Sequence, residues 1–257
     1  MKFISLFAGI GGLDLGLERA GMECVAQVEI DDFCQKVLTK HWANVPKYKD
    51  VRDVGKHNLP TAELICGGFP CQDVSLAGNR KGLEGSRSTL WSEFYRIVCE
   101  VQPRWVVIEN VPGLLSSDNG EFFTKILREL SKNGYAVTWR VISASSIGAM
   151  HIRERIFIVA NTEGSYSRQS HISKEYSWEQ NYQREWSRFW NELIRRCENS
   201  RKQNYWIPQS RLARLVDGLS SRLDKSRMKA NGNAVVSQVA EIVGHCVMKA
   251  ETCLTNA

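Results

Sequence analysis

Apolar residues come along this chain in short blocks, separated by stretches whose apolar positions recur at helical spacing. Phe3-Ile4-Ser5-Leu6-Phe7 is a compact strand candidate that runs into Ala8-Gly9-Ile10-Gly11-Gly12. The spacing predicts a helix over residues 13–20, with Leu13, Leu17 and Ala20 on one face and Gly21 as its stop. Residues 24–28 read as a second strand ending at Glu29, and Asp32 is placed to cap a helix running towards His41. Strand, helix, strand, helix is the opening of a parallel sheet with crossover helices.

The alternation continues. Leu64-Ile65-Cys66 is a strand, and residues 90–101 read as a helix with Leu90, Phe94, Ile97, Val98 and Val101 on one face. Trp105-Val106-Val107-Ile108 is a strongly apolar strand that stops at Glu109-Asn110-Val111-Pro112-Gly113. An amphipathic helix over 122–130 closes at Asn133-Gly134, and strands are predicted over 135–141 and 156–160. After Asn161 the pattern dissolves into polar, Arg-rich sequence. It recovers at Ala234-Val235-Val236 as a final helix through Val239, Ile242 and Val243. The class is α/β.

Composition narrows the setting. A chain of 257 residues suits one large domain, or one domain with a smaller insertion, and 43% hydrophobic with 24% charged residues is ordinary for a globular protein. Lys2 followed by an apolar run resembles the start of a signal peptide, but glycines, Asp14 and Glu18 interrupt it before any cleavage pattern. No apolar stretch is long enough to span a bilayer, so a cytoplasmic protein without membrane contact is expected. Eight cysteines occur with no CxxC pair and no Cys/His cluster at zinc spacing, so neither a disulfide framework nor a metal site is expected.

The net charge of +6 is localised. Between Ser165 and Ala230 there are 14 Lys+Arg against 7 Asp+Glu, whereas the remainder holds 20 against 21. Trp178, Trp186, Trp190 and Trp206, half of the tryptophans, fall in the same stretch. Basic residues interleaved with aromatics suit a polyanion with stackable bases. A solvated helical face with packed tryptophans is the competing reading.

Two stretches offer chemistry. Gly67-Gly68-Phe69-Pro70-Cys71-Gln72 follows a buried strand, and its glycines and Pro70 bend and stiffen a loop that presents one thiol. A nucleophilic Cys71 needs activation from an ordinary thiol pKa of about 8.5. By itself the loop fits a tight turn with an incidental cysteine equally well. Gly9-Ile10-Gly11-Gly12, at a strand-to-helix turn, suggests a nucleotide-like ligand close to the backbone, and Glu29 is placed to accept from ribose hydroxyls. Asp14 stands where a GxGxxG would have its third glycine, which counts against a pyrophosphate-bearing dinucleotide.

Taken together, Phe7–Gly12, Gly68-Phe69-Pro70-Cys71-Gln72, Glu109-Asn110-Val111, Arg153-Glu154-Arg155 and Gly232-Asn233-Ala234-Val235 resemble, in order and spacing, the motifs of the DNA (cytosine-5) methyltransferases. The likeness covers about two thirds of the chain. It implies a Rossmann-like doubly wound fold that binds S-adenosyl-L-methionine and carries a small target-recognition segment. The implied division is a catalytic and cofactor domain over 1–164, a recognition segment over 165–229 and a C-terminal helix returning over 230–257. On the same resemblance Gly9, Gly11 and Gly12 pass close to the cofactor and Phe7 packs on its adenine. Glu29 holds the ribose, Asp53 accepts from the adenine amino group, and Asn233 lies nearby. Cys71 would attack carbon 6 of a flipped-out cytosine, Glu109 in its acid form would act at N3, and Arg153 and Arg155 would anchor the base. The implied partner is double-stranded DNA, acted on by a monomer, with a companion restriction endonuclease where the setting is restriction–modification. The alternatives on the same scaffold are a tRNA cytosine-5 methyltransferase and a catalytically silent DNA-binding protein. Met150-His151 stands where the family has Pro-Gln, and the recognition segment is short.

Overall fold

The computed structural model describes residues 1–70, 86–149, 151–162, 191–196, 199 and 234–255. Cys71 and Asn233 lie outside these residues, as does most of the basic stretch. Within them the chain runs β1 (Lys2–Leu6), α1 (Gly12–Arg19), β2 (Glu23–Val28), α2 (Asp32–His41), β3 (Lys47–Tyr48) and β4 (Leu64–Gly67). It continues through α3 (Ser86–Val101), β5 (Trp105–Asn110), α4 (Glu121–Lys132), β6 (Ala136–Ser143), β7 (Glu154–Asn161) and α5 (Ser237–Thr255). Three-ten turns cover Val51–Asp53, Pro112–Gly120 and Ala144–Ile147.

The strands form one sheet in the order β3-β2-β1-β4-β5-β7-β6. Every described pairing is parallel except the two made by β7, which runs against β5 and β6. The expectation of a parallel sheet therefore holds up to β5, where a short antiparallel hairpin closes the edge. Chain order reverses between β1 and β4, so the loops leaving these strands diverge and open a crevice at their carboxyl ends. Leu6 pairs with Gly67 and Gly67 with Ile108, which brings the ends of β1, β4 and β5 level. Glu109 pairs with Phe157, so the start of β7 reaches the same edge.

The apolar runs become strands because they are covered on both faces. On one face Trp91, Phe94, Ile97 and Val98 of α3 and Phe122, Phe123, Ile126 and Leu130 of α4 bury against Ile65, Val106 and Ile108. On the other, Leu13 and Leu17 of α1 and Val239, Ala240, Val243 and Val247 of α5 cover Phe3, Leu64, Trp105 and Val107. Each fully buried large side chain is worth about 1.5–3 kcal/mol.

Two local expectations change. The cap of α2 is Asp31, whose side chain accepts from the amides of Phe33 and Cys34, so Asp32 lies inside the helix. The final helix starts at Ser237, and the preceding Ala234 and Val235 lie outside it, against Arg153 and Gly12 respectively. Residues 191–196, expected in the recognition segment, are helical and dock on the core. Leu193 is buried in the cluster containing α5, and Glu192 meets Lys249 of that helix at 3.0 Å. Glu192 also pairs with Arg195 at 2.7 Å and Arg196 at 2.8 Å, and the Arg195 contact leads in holding its carboxyl down at about 2.

Candidate active site

The crevice at the β1/β4 reversal is a cavity of about 620 Å³. Its walls come from the loops after β1, β2, β4 and β5, from Arg155 on β7, and from Ala234 and Val235. Six separate stretches of sequence thus meet at one edge of the sheet.

The turn after β1 shapes one side. Phe7 sits in the left-handed region at φ 54°, where a non-glycine residue costs about 1–3 kcal/mol. Its ring packs on the core while the residue lines the cavity. Gly9 and Gly11 follow at φ 57° and 82°. Glu29 fastens this turn. One carboxylate oxygen accepts from the Gly9 amide at 2.7 Å and the other from the Asp31 amide at 2.8 Å. Each oxygen keeps a lone pair for a further donor, so the group is preorganised to take hydroxyls. Gly12 has a different reason to be glycine: a Cβ there would collide with the carbonyl of Val235.

A bare glycine turn, apolar walls from Phe7, Ile30 and Leu13, and one fixed carboxylate fit an adenosyl cofactor of the kind the resemblance implies. Phe7, Gly9, Gly12 and Glu29 are brought to the cavity. Gly11 lies behind it against Trp42, and Asp53 is exposed in its three-ten turn, away from the lining.

The opposite side carries Glu109, which the strand extends to include, two residues further than its apolar core suggested. The residue is 6% exposed, and burial pushes its pKa up to about 7 against the opposing pull of Arg155 and Arg153. Arg155 Nε stands 2.9 Å from Oε1, yet among the described residues that oxygen has no well-aimed hydrogen-bond donor. The contact is a close ion pair. Gly68 adjoins the same carboxyl, and a Cβ there would sit 2.8 Å from Oε2. Glu109 therefore lies alongside the backbone that leads to Cys71.

Arg153 does something the motif spacing did not signal. Its Nη2 donates to the carbonyl of Ala234 at 2.6 Å, so it clamps the returning C-terminal segment, and it is not among the lining residues. His151 is exposed. Sequence reasoning also passed over Asn110, which is buried and bonded to Phe69, and Ile30, which lines the cavity while 59% exposed. The adjacency of Asn110 to Glu109 was the available signal for the first; nothing in the pattern marked the second. Burial raises the thiols of Cys24 and Cys66 far above the ordinary range, which makes them inert as nucleophiles. Among the described residues no cluster of His, Cys, Asp and Glu is arranged to hold a metal, and no helix is long and apolar enough to cross a membrane.

A family model for C-5 cytosine-specific DNA methylase matches residues 1–212. Type II methyltransferase M.FnuDI of Fusobacterium nucleatum is 41% identical over 160 residues, covering 62% of this chain and 46% of the relative. Type II methyltransferase M.HhaI of Haemophilus parahaemolyticus is 37% identical over 159 residues, covering 62% and 48%. The chain spans about half the length of the curated relatives it matches. Among solved structures, a prophage-encoded candidate DNA modification methyltransferase of Escherichia coli superposes with a TM-score of 0.55 at 30% identity, covering 68% of this chain and 49% of that one. The Dnmt2 methyltransferase of S. pombe superposes with a TM-score of 0.51 at 21% identity over 69% of this chain and 58% of its own, a likeness of fold alone.

Proposed function

The chain belongs to the C-5 cytosine-specific DNA methylase family, and on that premise we propose that it methylates carbon 5 of a flipped-out cytosine in duplex DNA through a covalent Cys71 adduct. The observation that carries this reading is Glu109: a buried carboxyl raised to about 7 beside Arg155, packed against the Gly68 backbone three residues before Cys71.

Such a carboxyl keeps a substantial acid fraction, about half, at neutral pH. Cys71 attacks carbon 6 as a thiolate, forming an S–C bond while Glu109 gives its proton to N3, so the displaced electron pair stays in the ring. S-adenosyl-L-methionine, when bound, supplies from its sulfonium the methyl group that carbon 5 of such a ring accepts. A base then takes the proton from carbon 5, the S–C6 bond breaks, and the 5,6 double bond returns as N3 hands its proton back. Arg155 holds Glu109 and the base edge, while Glu29 and the Gly9–Gly12 turn hold the cofactor. Extruding the cytosine is required because carbon 6 is out of reach within a stacked duplex.

The basic stretch over 165–229, apart from the docked helix at 191–196, serves as the recognition segment, with residues 230–257 returning to the catalytic domain. The setting is restriction–modification or self-protection of DNA by a cytoplasmic monomer, with a companion endonuclease in the first case. The Type II names of its relatives support the former.

Duplex DNA carrying 5-fluorocytosine tests the reading, since fluorine blocks the final elimination and traps the adduct. The wild-type protein with cofactor is expected to form a denaturation-resistant complex, and Cys71→Ser none. An equal adduct with Cys71→Ser, or methylation of tRNA in preference to duplex DNA, would overturn it.

A further inference from the structure

Asn110, next to Glu109 at the end of β5, is a buried amide, 4% exposed, that joins two stretches of backbone. Its Oδ1 accepts from the Val111 amide at 2.9 Å, and its Nδ2 donates to the carbonyl of Phe69 at 3.1 Å. The two partners fix which way the amide points, because a backbone N–H only donates and a carbonyl only accepts. Phe69 is two residues before Cys71. Its ring is wedged among Trp91, Phe94 and Phe122, at centroid distances of 5.5, 6.4 and 6.2 Å. Pro70 then locks the next φ and adds no donor of its own. An aromatic plug on one side and an amide latch on the other thus fix the backbone entering the nucleophile loop. The latch springs from the residue that follows the general acid.

We propose that Asn110 is a positioning residue for the nucleophile, setting the spacing between the Glu109 carboxyl and the chain that carries Cys71. The proposal rests on the methyltransferase reading. A carbonyl pulled out of place on this loop shifts the attacking sulfur, and a misplacement of about 1 Å costs about 10²-fold in rate. Removing Asn110 therefore acts on covalent attack and leaves the Glu29 side of the cavity untouched.

The test compares wild type, Asn110→Ala and Asn110→Asp in three measurements: cofactor affinity, adduct rate on 5-fluorocytosine duplex DNA, and single-turnover methylation. Asn110→Ala should slow adduct formation and methylation in parallel by about 10–100-fold, with cofactor affinity within about twofold of wild type. Asn110→Asp keeps the shape and the acceptor for Val111 but sets an oxygen against the Phe69 carbonyl. It should fall at least as far as Ala, which a role in packing alone does not predict. Wild-type adduct rates in Asn110→Asp, or a loss confined to cofactor affinity, would overturn the proposal. A wild-type protein that forms no adduct would overturn the reading beneath it, so the two failures look different.

Discussion

Replacing Glu109 by Gln keeps the shape of the side chain and removes its exchangeable proton. Burial moves this carboxyl from an ordinary 4.5 to about 7, with Arg155 at 2.9 Å pulling the other way. At pH 7 about half of the molecules then carry the acid form, and at pH 8 about a tenth. A positioned acid is worth about 10²–10⁴-fold, so Glu109→Gln should lower single-turnover methylation at pH 7 by about 10²-fold or more. Cofactor affinity should hold, because Glu29 and the glycine turn lie on the other wall. The wild-type rate should decline as pH rises through about 7, and the Gln variant should lack that limb.

Stability offers an independent check. The folded protein keeps the Glu109 proton over a range in which the unfolded chain has released it. The resulting contribution is whole below about 4.5 and is lost as pH rises through about 7. The gap corresponds to about 3 kcal/mol as an order of magnitude. Asp14, fully buried and raised by burial to about 6, titrates in the same direction, but it is present in both proteins and cancels in their difference. Denaturant titrations from pH 4 to 8 should therefore show a shallower fall for Glu109→Gln by about that amount. Parallel stability curves, or wild-type turnover in the variant, would refute the assignment of the raised pKa and of the acid role respectively.

Glu29→Ala should weaken S-adenosylmethionine binding by about 1–3 kcal/mol, since it removes a carboxylate acceptor and strands the Gly9 and Asp31 amides; unchanged affinity in a calorimetric titration would dismiss the ribose role. Gly12→Ala places a methyl against the Val235 carbonyl, which is backbone and cannot swing aside, so a loss of about 1–3 kcal/mol of stability is expected in chemical denaturation, with weaker cofactor binding alongside. Exchanging the recognition segment with that of a relative should transfer site specificity when residues 191–196 are kept native, and should cost solubility or stability when they are replaced, because Glu192 and Leu193 bind the core. An active chimera that still modifies the original site would place recognition elsewhere, such as in residues 78–88 after Cys71.

Much of the fold was legible because the central strands are buried on both faces and so read as unbroken apolar runs. Trp105–Asn110 is buried along its whole length, and the buried residues of α1, α3 and α4 fall on the faces their spacing predicts. What escaped was short or reversed. The two-residue β3 has no periodicity to detect, and an apolar run such as that in β7 carries no mark of its direction. The helix at 191–196 was hidden by charge, since its arginines and Glu192 neutralise one another and read from outside as part of a basic segment. Glu109 and Glu29 were legible as carboxylates at strand ends, where parallel sheets present their chemistry.

The two arginines show where that legibility stops. Side chains two residues apart on a strand share a face, so Arg153 and Arg155 look interchangeable as anchors for one ligand. The strand, however, begins at Glu154. Arg155 obeys its alternation and turns to Glu109, whereas Arg153 lies before the first ladder residue and reaches the carbonyl of Ala234, 81 positions away. Gly12 makes the matching contact from the other side, against Val235. Both contacts are made to main-chain atoms, which every residue type possesses, so no side-chain pattern at 234–235 could have announced them. Residues 234 and 235 are thus held between the cofactor turn and the start of β7. The cofactor turn and the start of β7 are joined here through the backbone carbonyls of residues 234 and 235, and that joint is visible only once the chain is folded.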